Sequence, residues 1–182
     1  MVHTAINIIS KPVSELSTQE VARVATLLQR PARGLLAIEC ADKKGEPAVL
    51  RVAPLVDQKP FPTLFWLVHP DICYWLDGLE ANGVIAQLQL VVDENVELQQ
   101  ELTHYHHWYI AERWRSATPE LIDEIVVLGY RSALDAKGVG GLGDYTRIRC
   151  LHTWYGAHLV RSNPVGRWLD DSHGCLLINQ KN

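Results

Sequence analysis

The 182-residue chain has no basic surplus, no CxxC pair, no long apolar run, and only two Phe and one Met. Each absence excludes something. A net charge of −4 and a pI near 6.0 speak against a general binder of nucleic acid or anionic membrane, which carries an excess of Lys and Arg. No stretch approaches the roughly 18 apolar residues that mark a membrane span. The segment Ala5-Ile6-Asn7-Ile8-Ile9 is short, is interrupted by Asn7 and has no basic residues before it, so it does not read as a secretory leader. Cys40, Cys73, Cys150 and Cys175 lie far apart, which suits free thiols in a reducing compartment better than a disulfide framework. The expected location is the cytoplasm, with no nucleic acid and no membrane among the partners.

What is present describes an ordinary globular chain. Its composition is 47% hydrophobic and 21% charged, and its length suits one domain with a proper core. Ser17-Thr18-Gln19-Glu20 is a capping box, and Val21, Val24, Ala25 and Leu28 give the helix after it an apolar face. Leu35 to Ile38 and Ala48 to Val52 read as strands of a hairpin across Lys43 to Pro47, and Thr63 to Val68 reads as a third strand. Helical spacing follows from Ile72 to Leu79, from about Asp93 to Arg115, after Thr118-Pro119, and from about Arg149 to Arg161. The expected fold is α+β: an antiparallel sheet of about three strands with helices packed on one face. Residues 1–166 read as a single domain and residues 167–182 as a polar tail.

Several strings in this chain resemble the bacterial family known as domain of unknown function 501. They are Leu28-Gln29-Arg30-Pro31-Ala32-Arg33-Gly34, Pro60 to Leu67, His106-x-x-Tyr109-x-x-x-Arg113, Gly138-Val139-Gly140-Gly141, Cys150-Leu151-His152 and Asn163-Pro164-Val165-Gly166. The resemblance runs from about Leu28 to Gly166 and implies no settled activity. It also implies thiols that this chain lacks: Asp42-Lys43-Lys44-Gly45 and His69-Pro70 stand where typical members carry cysteines.

Chemistry-bearing residues fall into four groups. Cys150 and His152, with Cys40 and His69 as companions, supply the ligand types of a zinc site, but without the paired short spacings such sites use. Two positions apart, Cys150 and His152 diverge on a regular helix and converge only if that helix begins after Cys150. In that case the thiol gains the helix N-terminus and the nearby Arg147 and Arg149 as stabilisers of its thiolate. His106, Tyr109 and Arg113 share one face of the long helix, an arrangement that binds a ligand or forms a hydrogen-bond ladder. The loop from Gly138 to Gly143 offers backbone amides to an anion but lacks a P-loop's ending. Glu101-x-x-His104 is half a di-iron motif with no second copy.

The leading expectation is a small polar or anionic ligand bound between the long helix and the last one. Cys150, His152 and His106 would be the chemical groups and Tyr109, Arg113, Gly140, Gly141 and Arg149 the ligand contacts. No metal is assigned, and the residues name no cofactor. The alternatives are a protein-interaction module displaying Trp66, Trp75, Trp108 or Trp114 to a protein partner or a second copy of the chain, and a zinc-stabilised structural domain.

Overall fold

The computed structural model describes residues 5–174. Six strands run Ile6–Pro12 (β1), Leu35–Asp42 (β2), Pro47–Val52 (β3), Leu55–Val56 (β4), Lys59–Pro60 (β5) and Phe65–Leu67 (β6). Eight helices run Thr18–Leu28 (α1), Pro70–Ala81 (α2), Val84–Asp93 (α3), Val96–Arg115 (α4), Pro119–Val127 (α5), Arg131–Asp135 (α6), Leu151–Val160 (α7) and Pro164–His173 (α8). The main sheet is antiparallel in the order β1-β2-β3-β6, and β4 pairs with β5 in a separate ribbon. The class is α+β, and the expected hairpin pairs Ile38 with Leu50 and Leu35 with Val52.

Helices cover both faces of the sheet, not the one face expected. Alternate strand residues point to opposite sides. Cys40, Val49, Phe65 and Leu67 join α2, α3, α4, α7 and α8 in the larger core. Ile38, Leu50, Val52 and Trp66 pack with Val24, Leu27 and Leu28 of α1 in a second core. The capping box forms as its spacing requires: the Glu20 amide donates to Ser17 Oγ at 3.2 Å, and the Ser17 amide to Glu20 Oε2 at 2.7 Å.

Several elements escaped the sequence reading, among them α6 and the short strands β4 and β5, which lie in a segment read as an extended loop. β1 is an edge strand in which Ile6 alone is buried, so it lacks the alternation that betrays a strand. α3 starts directly at Gly83, which ends one helix and serves as N-cap of the next with φ 77. The long helix accordingly begins at Val96, where Asn95 Oδ1 accepts the Leu98 amide at 2.9 Å. α8 runs through residues assigned to the tail, because Asn163 caps it and Val165 and Leu169 enter the core. The rest of that tail from residue 175, with Cys175, lies outside the described residues.

α7 positions the chemistry. It is apolar around its circumference and buries Leu151, Trp154, Tyr155, Ala157 and Leu159, as a central helix does. It approaches β6 so closely that a Cβ on Gly156 would lie 3.2 Å from the Leu67 backbone nitrogen.

Candidate functional site

α7 begins at Leu151, with Cys150 as its N-cap in extended conformation at φ −141 and ψ 120. This is the condition under which Cys150 and His152 converge, and they do: Cys150 Sγ lies 3.9 Å from His152 Nδ1. Glu80, in the last turn of α2, completes the group. Its Oε1 is 3.2 Å from the same ring nitrogen and accepts the Leu151 amide at 2.6 Å. A carboxylate there is poorly placed for its own helix but well placed at the N-terminus of α7, where free amides favour negative charge. The other ring nitrogen, Nε2, faces the Cys73 carbonyl at 3.3 Å and Asp77 Oδ1 at 3.3 Å.

The groups around the His152 ring are therefore acceptors: a sulfur, two carboxylates and a carbonyl. Such surroundings hold the imidazole doubly protonated. Its pKa rises to about 9, chiefly through Cys150, while burial opposes and Glu80 assists. For Cys150, burial alone would raise the thiol pKa, but His152 and the Thr153 amide outweigh it and the net shift is downward. The result is a half-buried thiol of lowered pKa beside an imidazolium. The other described thiols differ: burial pushes Cys73 to about 11 and Cys40 to about 12. His152 and Thr153 also line a cavity of about 100 Å³ with Thr63, Phe65, Trp66 and Leu67 of the β6 segment.

His106, Tyr109 and Arg113 do share a face of α4, but that face turns into the core and all three are fully buried. Tyr109 Oη accepts the Leu64 and Phe65 amides at 2.7 and 3.2 Å. Arg113 gives its donors to the carbonyls of Pro62, Leu134 and Lys137 at 2.6 to 3.1 Å. His106 Nδ1 accepts the Val139 amide at 2.9 Å, and burial lowers its pKa to about 4. None of the three lines the cavity beside His152. Tyr109, Arg113 and Nδ1 of His106 form a hydrogen-bond ladder to backbone groups, as their burial requires, whereas His106 Nε2 is buried without a partner among the described residues.

The glycine loop serves the same ladder. A Cβ on Gly138 would sit 1.9 Å from His106 Nδ1, so the imidazole reaches the Val139 amide only past a glycine. Gly140 and Gly141 follow in a 3-10 turn with φ 65 and 71, and Gly140 lies against Thr153. Arg149 is exposed. The zinc companions are not assembled: Cys40 Sγ is 3.6 Å from the Leu159 carbonyl, and His69 Nε2 is 3.8 Å from Asp42. Trp66, Trp75, Trp108 and Trp114 are half-buried and pack in three different clusters, not in one exposed patch.

The sequence reading missed Glu80 and Asp77. The signal was there in retrospect: Cys73, Asp77 and Glu80 fall at i, i+4 and i+7, on one face of α2. Nothing local says that this face meets a helix start seventy residues later.

Among known proteins, the family model described as protein of unknown function (DUF501) matches residues 38–171. No curated protein matches the chain. No solved structure matches it.

Proposed function

Because the chain belongs to the protein of unknown function (DUF501) family, whose description assigns no activity, we propose a function from the site alone: Cys150 acts as an activated thiolate toward a small polar electrophile seated beside His152. The observation that supports this reading most is the ring of acceptors around His152, with Cys150 Sγ at 3.9 Å. A cysteine at a helix N-terminus beside a cationic imidazole is the environment that lowers a thiol pKa and makes it nucleophilic at neutral pH. Glu80 and Asp77 hold the imidazolium, and His152 returns a proton to a departing group. The small cavity lined by Thr63, Trp66 and Thr153 offers room for the bound molecule.

A second reading has its own support. Glu80 Oε1, Cys150 Sγ and His152 Nδ1 lie within 4.8 Å of one another, as donors to a single ion do. A thiophilic divalent cation such as zinc would replace the Nδ1 proton, with Nε2–H bonded to the Cys73 carbonyl as the supporting contact that metal-bound histidines make.

The test is the rate of iodoacetamide alkylation of the whole protein, with the modified cysteine located by peptide mass. Cys150 should react at roughly pH 6 to 7, where ordinary thiols are protonated. Glu80→Gln and His152→Ala should slow it about tenfold or more in that range, and Cys150→Ser should abolish it. Reaction of Cys150 only above roughly pH 8.5, like a free thiol, would sink the proposal. Suppression of the rate by one equivalent of zinc would favour the second reading.

A further inference from the structure

A larger cleft lies on the side of the sheet covered by α1, away from Cys150. It measures about 550 Å³ and is lined by Arg30, Arg33, Val52, Val56, Lys59 and Phe61, among others. Two strings singled out in the sequence, Leu28 to Gly34 and Pro60 to Leu67, meet here, and the thiol site uses neither Arg30 nor Lys59.

Its charge runs against that of the chain. Three cations and one carboxylate, Asp57, line a cleft in a protein of net charge −4. Arg33 and Asp57 pair at 2.7 Å, which leaves Arg30 and Lys59 without a carboxylate partner among the described residues. Arg30 is not loose: its guanidinium stands 5.0 Å from the Trp66 ring centroid, and Phe61 stacks on the same indole at 5.3 Å and 3°. Asp57 and Gln58, with φ 50 and 58, turn β4 into β5 and hold Lys59 at the rim. The lining between the cations, Val52, Val56 and Phe61, is apolar. Solvated surface cations need no such floor, and a cleft of this volume is of small-molecule size.

We propose that this cleft binds a small phosphorylated molecule carrying a planar apolar group, a nucleoside monophosphate being the class that fits. The phosphate would bridge the Arg30 guanidinium and the Lys59 ammonium, the former suited to bidentate contact with phosphate oxygens. The base would lie on the floor formed by Val52, Val56 and Phe61. Two cations without a carboxylate partner among the described residues select for a dianion, and the floor selects against a bare one.

The experiment is a titration of the full chain with AMP at low salt, followed by amide shifts in NMR, with adenosine and inorganic phosphate as comparison probes. AMP should saturate and move the amides of Arg30, Val56 and Phe61, and each comparison probe should bind about tenfold or more weakly. The double variant Arg30→Ala with Lys59→Ala should weaken AMP about tenfold or more at unchanged Tm, while Cys150→Ser binds as wild type. Failure of AMP to saturate, equal binding of adenosine or of phosphate, or undiminished binding by the double variant would each overturn the proposal.

Discussion

Arg113 shows how far burial alters the meaning of a polar residue. A guanidinium with no exposure and no carboxylate hydrogen-bonded to it persists because three carbonyls, from Pro62, Leu134 and Lys137, receive its donors. Burial lowers its pKa, against the pull of Tyr109, Tyr145 and Asp135. Arg113→Ala would strip those carbonyls of their partner and open a cavity, so a loss of about 3–5 kcal/mol is expected in urea denaturation. That is a large share of the stability of a typical domain, about 5–15 kcal/mol. A loss under about 1 kcal/mol would mean that water replaces the guanidinium without cost. Cys150 is the opposite case, half-buried at the start of α7, and the reaction proposed there makes no use of Arg113. Substituting Arg113 should therefore leave the alkylation rate of the folded fraction unchanged.

Among the elements, α7 and α8 carry the largest organising role. Asn163 joins them: its Oδ1 accepts the Gly166 amide at 2.8 Å as the α8 cap, and its Nδ2 donates to the Trp154 carbonyl at 2.9 Å. Asp170 adds a second tie, accepting from Tyr155 Oη at 2.7 Å and facing His158 Nε2 at 3.1 Å. Asn163→Ala removes a buried cap and the tie to the Trp154 carbonyl, which should cost about 2 kcal/mol. Amide exchange should then rise first in α8. Asn163→Asp keeps the cap acceptor and should recover part of the loss; equal losses in the two variants would contradict the capping role. The capping box of α1 was legible because it is written within four residues. β1 and α8 were not, since an edge strand shows no alternation and a polar helix docks through two or three side chains.

At the scale of the whole molecule, the sheet is covered on both sides, and the thiol centre and the cationic cleft lie on opposite sides of it. Stability should depend on pH through the larger core. His106 has a pKa of about 4 in the folded chain against an ordinary value of 6.5. The unfolded chain therefore takes up the proton first, and stability rises with pH through this window. It should be fully present above 6.5 and decline by about 3 kcal/mol as the pH falls through 4. The check is a series of denaturation midpoints compared with His106→Asn, whose amide oxygen can take the Val139 amide without titrating. A slope that survives in that variant would place the acid sensitivity elsewhere.

The sequence by itself determined the α+β class, the antiparallel hairpin from Leu35 to Val52, the capping box of α1, the start of α5 at Thr118-Pro119, and the shared face of His106, Tyr109 and Arg113. It also set the condition for Cys150 and His152 to meet. These are properties of periods and of bonds between near neighbours. Tertiary structure decided that the α4 face turns inward, because a row at i, i+3 and i+7 serves a ligand or a backbone equally until its partners arrive. It decided that Glu80 and Asp77, rather than Cys40 and His69, surround His152. A side chain's charge state and role depend on the atoms within about 4 Å of it, and those atoms come from helices seventy residues apart in the chain.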